Sequence, residues 1–133
     1  KAQKKGIVDI CTRELLTSKG LRTLSPKSGG YNPICNGTEE QRETAYHQGT
    51  AWPWLGGFYL EACLKLYKRT RLSFIERQMV GYEDEVLYHC LGTISEYFDG
   101  NPPFRGRGGI SFAMNVAEVL RTLELLERYR YKD

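Results

Sequence analysis

The residues best suited to chemistry lie in one short stretch of the chain, which reads YHQGTAWPW. In it, His47 and Gln48 can donate and accept hydrogen bonds. The aromatic rings around them, those of Tyr46, Trp52 and Trp54, can pack against the C–H groups of a sugar. The same rings could instead fill a hydrophobic core where a helix begins. The residue types alone leave both interpretations open.

A second candidate stretch, GTISEYFDG at residues 92–100, presents the carboxylates of Glu96 and Asp99. Glycoside hydrolysis uses two carboxyl groups, one to protonate the leaving oxygen and one to activate water or attack. These groups must flank the scissile bond, and one short loop supplies only one wall of a site. We therefore do not expect Glu96 and Asp99 to form the pair, although one of them could be half of it. The alternative is a surface glutamate and a turn at Asp99 and Gly100.

Other kinds of catalytic or metal site find little support in the sequence. The two histidines, His47 and His89, lie far apart, and no second histidine or cysteine stands at zinc-ligand spacing. A serine or cysteine nucleophile activated by His47 lacks the nucleophile-elbow pattern. We therefore predict no metal and no cofactor. The four cysteines contain no C-x-x-C pair, which favours free thiols in a reducing compartment, and hence the cytoplasm.

Composition limits the partners of the chain. Its net charge is +3, and its 19 basic and 16 acidic residues are interleaved, so a nucleic-acid partner is not expected. No apolar run reaches the ~18 residues of a membrane span, and no basic-then-apolar leader is visible. The 133 residues suit one domain, and because the first is Lys1 rather than Met, we expect a fragment of a longer chain.

Helices must position the candidate residues, because the hydrophobic periodicity of the chain is helical. Four amphipathic segments are predicted, at about residues 5–16, 52–67, 73–91 and 112–129. In the first, Ile7 is expected on the buried face, and in the fourth Leu120 is expected inside and Glu118 outside. Ser73 and Glu76 form a capping-box pattern at the start of the third. No stretch alternates apolar and polar residues convincingly, so the predicted fold class is all-α.

Two long connections separate these helices, at residues 17–51 and 92–111. Connections in helical bundles usually have about two to eight residues, and loops beyond about fifteen are often functional or disordered. Both connections contain aromatic and small residues of the kind that are buried in folded proteins. We therefore expect them to be ordered and to build a site.

Four blocks of sequence together resemble a known family. They are GLRTLSP at residues 20–26, AYHQGTAWPWLGGF at 45–58, GTISEYFDGNPP at 92–103 and AEVLR at 117–121. In this order and spacing they resemble the C-terminal part of the amylo-α-1,6-glucosidase domain of glycogen debranching enzymes. The second and third blocks are the specific ones. With their connections, the four blocks cover nearly all of residues 1–133, which we treat as a portion of one such domain.

The resemblance implies a fold, a reaction and a set of site residues. The fold is an (α/α)6 barrel with its active site in the loops at one end, and the four predicted helices would be part of it. The reaction is hydrolysis, with inversion, of the α-1,6-linked glucose at branch points of glycogen or a related α-glucan. Glu96 matches the catalytic base of the family. The implied sugar-pocket residues are Tyr46, His47, Gln48, Trp52 and Trp54, with Arg22 as a weaker candidate.

Two departures from the family pattern limit what the resemblance implies. The family's general acid is an aspartate in an upstream Trp-Met-Asp segment, and that tripeptide does not occur here. We therefore expect the chain to be catalytic only within a longer parent protein and inactive alone. Phe112 and Met114 stand where the family has a glutamine and a tryptophan, which implies another saccharide preference or a loss of activity.

Three functions remain open at this point. The first is a glycoside hydrolase fragment that acts on an α-glucan or oligosaccharide, with the rest of the barrel in the same polypeptide as its partner. The second is a carbohydrate-binding module that has lost catalysis. The third is a helical interaction domain whose aromatic residues are all core. In the first case, inner helix faces would be exposed in the isolated chain, and we expect it to self-associate.

Overall fold

The computed structural model of the protein describes residues 2–131. Within them lie five α-helices, which are α1 Ala2–Ile10, α2 Glu39–His47, α3 Pro53–Tyr67, α4 Leu72–Val80 and α5 Ala113–Tyr131. Shorter turns adjoin them, π-helical at Cys11–Leu15 and Glu85–His89 and 3-10 at Lys68–Arg71. The first, second and fourth predicted helices correspond to α1 with its π-helical turn, α3 and α5. None of the helices in this part of the chain combines the length and apolar character needed to cross a membrane.

A small antiparallel sheet lies among the helices, so the all-α prediction is wrong. Its five strands pair in chain order, and they are β1 Leu16–Thr17, β2 Gly20–Arg22, β3 Ala51–Trp52, β4 Tyr97–Phe98 and β5 Gly106–Arg107. Strands of two or three residues are too short to reveal an alternation of apolar and polar residues in the sequence. β2, β4 and β5 lie within the two segments predicted to be long connections, and the sheet orders those segments.

The helix α3 is the centre of the packing. It begins at Pro53. Proline suits this position because an N–H in the first helical turn has no partner within the helix, so its absence costs nothing. Gly56 lets the helix approach the sheet, because a Cβ there would lie only 3.0 Å from the Cα of Gly20 in β2. The main core between α1, α3, α4 and α5 consists of Val8, Leu21, Tyr59, Leu60, Cys63, Leu64, Ile75 and Leu126.

In two helices the buried face is rotated from the predicted one, although Leu126 of α5 is buried and Val116 and Val119 pack on the core. In α1 the buried residue is Val8, at 6% exposure, whereas Ile7 is 64% exposed. In α5, Leu120 is 60% exposed, and Glu118 faces α3 instead of solvent. The guanidinium of Arg121 pairs with Glu118 and also reaches a glutamate on α3. This ion-pair network lets charged residues lie between two packed helices, which periodicity alone does not reveal.

The helix α4 is shorter than predicted. Its N-cap is Arg71, which makes no side-chain capping bond, so Ser73 lies inside the helix rather than at its cap. The helix ends before Gly81, whose carbonyl accepts a hydrogen bond of 2.6 Å from Nζ of Lys19. A Cβ at Gly81 would overlap the backbone of Ser18, so the chain turns at a point where only glycine fits.

The short helix α2 was not predicted. Its start is a true capping box, in which the backbone N–H of Gln41 donates to Oγ1 of Thr38 and the backbone N–H of Thr38 donates to Oε1 of Gln41. Its nine residues, EEQRETAYH, contain only one buried side chain, that of Ala45. Hydrophobic periodicity cannot detect such a helix, whereas its capping signal could have done so.

Candidate functional site

A groove of about 400 Å³ gathers most of the residues predicted to form a site. It is lined by the predicted residues Tyr46, His47, Trp52, Trp54 and Glu96, together with Thr23, Glu43, Leu55, Phe112 and Met114. These belong to α2, β3, the first turn of α3, the loop after β2, the segment before β4 and the start of α5. The two stretches singled out in the sequence therefore meet in space, although α3 and α4 lie between them in the chain.

A buried threonine fixes the groove wall around Trp52. Oγ1 of Thr50 accepts a hydrogen bond of 3.0 Å from Nε1 of Trp52 and donates one of 3.1 Å to the carbonyl of Tyr46. These bonds tie the end of α2 to the start of α3. Because the protein already satisfies the indole N–H, Trp52 can offer a ligand its ring face but not that donor.

Aromatic rings form both the wall of the groove and a small core behind it. The ring centroid of Trp52 lies 5.6 Å from that of Tyr46 and 5.2 Å from that of Tyr97. Tyr97 is buried, and desolvation raises the pKa of its hydroxyl. Trp52 and Tyr46 are only half-buried and line the groove. The buried ring of Tyr97 therefore belongs to the core, whereas the rings of Trp52 and Tyr46 are accessible from the groove.

The half-buried carboxylate of Glu96 is held by backbone groups. Its Oε2 accepts a hydrogen bond of 3.0 Å from the N–H of Gly109, and its own backbone N–H donates to the Gly109 carbonyl at 2.9 Å. Gly108 has a φ of +71°, and a Cβ there would overlap Oε2 of Glu96. Within residues 2–131, no lysine or arginine forms an ion pair with this carboxylate. In that part of the chain, no cationic side chain competes with water or a ligand for this carboxylate.

A single buried amide joins the two stretches of the site. Oδ1 of Asn115 accepts a hydrogen bond of 3.1 Å from the backbone N–H of Trp54, at the start of α3. Its Nδ2 donates bonds of 2.7 Å to the carbonyls of Ser95 and Glu96. The side chain is 0% exposed, and all three of these bonds form inside the protein. Asn115 therefore sets the position of Glu96 relative to the tryptophan wall.

The other carboxylate of the second stretch, Asp99, has a different environment. It is 5% exposed and forms a two-pronged ion pair with Arg107, with Nε to Oδ1 and Nη2 to Oδ2 both at 2.9 Å. This pair fastens β4 to β5 and raises the pKa of Arg107. Arg22 also has a structural contact, because its Nε donates to the carbonyl of Gly100 at 2.7 Å. Neither Asp99 nor Arg22 lines the groove.

The neighbouring residues His47 and Gln48 have different surroundings. His47 is the last residue of α2, is exposed, and lines the groove. Gln48 is the C-cap of that helix, and its carbonyl accepts a hydrogen bond of 2.6 Å from the backbone N–H of Asn32. Its side chain lies near Gly30 and is not part of the groove. The side chains of these two adjacent residues therefore have different surroundings, and only that of His47 lies in the groove.

Of the five groove residues beyond the predicted ones, three bear on the chemistry of the site. Glu43 lies one helical turn before His47 on α2, so it was missed together with that helix. Phe112 and Met114, the two departures from the family pattern, also line the groove. Glu43 and Glu96 are the carboxylates that face this groove within the described part of the chain.

Comparison with known proteins adds an independent observation. The sequence profile described as amylo-alpha-1,6-glucosidase matches residues 1–121. The glycogen debranching enzyme of Saccharomyces cerevisiae is 41% identical over 61 residues, which cover 41% of this chain and 4% of the yeast protein. The match therefore spans a small part of that relative. All of the groove residues lie within the segment that matches the profile.

Proposed function

The chain belongs to the amylo-alpha-1,6-glucosidase family, and on that premise we propose that its parent protein hydrolyses the α-1,6-linked glucose at α-glucan branch points, with inversion. The observation that carries the proposal is the groove in which Glu96 lies beside the aromatic residues and His47. Its volume, about 400 Å³, falls in the range of small-molecule sites, which is about 300–1,000 Å³.

Glu96 is the general base in this proposal. An inverting glycosidase uses a carboxylate to remove a proton from water as the water attacks the anomeric carbon. Such a carboxylate must be ionised and free to bind water. Two observations support Glu96. The hydrogen bond from the N–H of Gly109 goes to Oε2, which leaves Oε1 for water, and within residues 2–131 the carboxylate forms no ion pair.

The groove residues recognise the sugar in complementary ways. Trp52 and Trp54 present ring faces to the C–H groups of glucose, while His47 hydrogen-bonds to a hydroxyl. Phe112 and Met114 add apolar surface where the resemblance implies polar and indole groups. We therefore propose that the groove presents a less polar surface to its saccharide than the family pattern implies, which would alter its saccharide preference.

The general acid comes from another part of the polypeptide. Inverting enzymes separate their two carboxyl groups by about 6.5–9.5 Å, with the sugar between them. Glu43 is the competing candidate, because it faces the same groove as Glu96. It is exposed at the surface of α2, however, and burial is the usual means of keeping a carboxylic acid protonated near neutral pH. We therefore assign the acid to the upstream segment that the resemblance implies.

Further helices of the same polypeptide complete the (α/α)6 barrel in this proposal. The support is an apolar groove of about 690 Å³ between α4 and α5, lined by side chains such as Met79, Val80 and Leu123. Nearby Leu87 and Leu120 are 57% and 60% exposed. Surfaces of this kind are normally covered. We also propose a cytoplasmic location, because all four cysteines are free thiols.

The experiment that tests this proposal measures glucose release from a branched α-glucan by the purified parent protein. Glu96→Gln should lower the rate by about 10²–10⁴-fold, the usual contribution of a general base. The matched control is Glu124→Gln, whose side chain is 61% exposed and lines neither groove, and which should leave the rate unchanged. Unchanged turnover in Glu96→Gln would contradict the assignment of the base.

Two further outcomes distinguish the alternatives. Binding of maltooligosaccharides without hydrolysis, lost in Trp54→Ala, would identify a non-catalytic carbohydrate-binding module. Absence of both binding and hydrolysis would leave a helical interaction domain. For the 133-residue chain alone, we expect no turnover and self-association, and ultracentrifugation that finds a monomer would contradict the second expectation.

A further inference from the structure

A cluster of four donor atoms lies behind the loop that carries Glu96, outside the groove. The atoms are Oε2 of Glu85, Nδ1 of His89, Sγ of Cys90 and Oγ of Ser95. The six distances between them range from 2.8 Å to 3.5 Å. Four points at such similar distances from one another are the corners of a nearly regular tetrahedron.

The size of this tetrahedron matches a metal coordination shell. Its centre lies about 2.0 Å from each corner, which is close to the length of zinc–nitrogen and zinc–oxygen bonds and a little under that of zinc–sulfur bonds. The longest edges, 3.4 Å and 3.5 Å, are those that join sulfur to the carboxylate and imidazole. Longer edges at sulfur are expected, because the zinc–sulfur bond is the longest of the three.

Hydrogen bonding explains only part of the cluster. Neutral serine, cysteine and histidine can bring three hydrogens to these four atoms, so at most three of the six contacts are hydrogen bonds. If all three hydrogens point at Glu85, the remaining contacts bring donor atoms together at 3.3–3.5 Å. One carboxylate oxygen offers about two lone pairs, so three hydrogens crowd Oε2 of Glu85, whereas a cation at the centre could be coordinated by all four atoms.

Burial and charge also favour a cation. Glu85 and Cys90 are each 6% exposed and Ser95 is 1% exposed. In the part of the chain that the structure describes, the Glu85 carboxylate pairs with His89 and with no lysine or arginine. A buried carboxylate is costly unless it is paired or binds a metal. The side chain of His89 is 50% exposed, which leaves an entry path from solvent.

The local fold builds this arrangement from one short segment. The π-helical turn Glu85–His89 places its first and last residues on the same side, and Cys90 follows directly. The chain then turns at Gly92, with a φ of +102°, and returns with Ser95. A Cβ at Gly106 would overlap Oγ of Ser95 and lie 3.1 Å from Oε2 of Glu85, so β5 closes over the cluster only with glycine there.

We propose that Glu85, His89 and Cys90 bind a Zn²⁺ ion, with the hydroxyl of Ser95 in the fourth position. Thiolate and imidazole ligands together favour zinc over magnesium or calcium. Binding releases the thiol proton of Cys90 to solvent, and the charges of thiolate, carboxylate and Zn²⁺ then balance. With four protein ligands the site is structural, and because Ser95 directly precedes Glu96, the ion holds the loop that carries that carboxylate.

The test is metal binding by the purified protein, which does not depend on hydrolytic activity. After exposure to Zn²⁺ alone and dialysis, the protein should retain one equivalent, and Co²⁺ should give a thiolate-to-cobalt charge-transfer band. Cys90→Ser should abolish that band, whereas the matched control Cys11→Ser should keep it. His89→Gln, which changes a half-exposed side chain and should fold normally, should weaken Zn²⁺ binding by at least about 10-fold.

Three results would overturn the proposal. The first is that the wild-type protein retains no zinc, which would mean that only hydrogen bonds hold the cluster. Equal retention by wild type and His89→Gln would mean adventitious binding elsewhere on the surface. A cobalt band that persists in Cys90→Ser and disappears in Cys11→Ser would assign the thiolate ligand to the other cysteine.

Discussion

Replacing Asn115 with alanine tests how the two halves of the groove are held together. The change removes three hydrogen bonds, which leaves the backbone N–H of Trp54 and the carbonyls of Ser95 and Glu96 without their amide partner. An unsatisfied buried polar group costs about 1–3 kcal/mol. Because partial relaxation and entering water reduce the sum, we expect the free energy of unfolding to fall by about 3–6 kcal/mol.

A second variant tests the two hydrogen bonds that Nδ2 of Asn115 donates separately from the one that its Oδ1 accepts. Asn115→Asp keeps the shape of the side chain and an oxygen for the N–H of Trp54, but it places its other oxygen against two carbonyls. We expect a loss at least as large as that of Asn115→Ala, because two hydrogen bonds become repulsive contacts. A merely space-filling role for the side chain predicts the opposite order.

The assay is urea unfolding of the purified protein, followed by circular dichroism and tryptophan fluorescence, with a check that the denaturant slope is unchanged. Glu124→Ala on the same helix is the control. Its carboxylate is 61% exposed and pairs with Arg128, so we expect a change of at most about 0.5 kcal/mol. A loss below about 1 kcal/mol in Asn115→Ala would refute the reasoning, since it would mean that the three groups find other partners.

Two further predictions concern single positions. Gly108→Ala and Gly92→Ala both place a side chain at positive φ, +71° and +102°, but only the first would meet the Glu96 carboxylate. Both variants should be less stable, but only in Gly108→Ala should the folded protein also release glucose more slowly. Equal rates of glucose release by the two folded variants would contradict this. Hydrogen bonds from Lys27, and then from Arg13, lower the pKa of Glu14 from 4.5 to about 2. This stabilisation is present above pH 4.5 and is lost as the pH falls through about 2, so an NMR titration should show that Lys27→Met raises the pKa.

The parts of the fold that could be predicted are those whose signal is local and strong. Periodicity predicts α3 and α5 because both are long, and Pro53 marks the start of the first. The helix α2 is mostly charged and polar, so its signal lies in the cap at Thr38 and not in its faces. The sheet could not be predicted, because strands as short as Ala51–Trp52 depend on partners that are distant in the chain.

The candidate site shows the same division. Tyr46, His47, Trp52 and Trp54 lie close together in the chain, so their shared groove follows from local structure. That Glu96 joins them follows from the sheet and from a buried amide, and only the family resemblance indicated it in the sequence. Gln48 lies outside the groove because it caps α2, and Glu43 was missed together with that helix. The donor cluster at Glu85 required a π-helical turn, which no sequence pattern here revealed.

The central claim, that Glu96 directs water to a glucose held in the groove, is tested most directly by the anomer of the first product. Time-resolved proton NMR of the parent protein acting on a branched α-glucan should show β-glucose first, followed by slow mutarotation. Glu96→Gln should release glucose of neither anomer above background. Initial release of α-glucose by the wild type, or undiminished β-glucose from Glu96→Gln, would contradict the account.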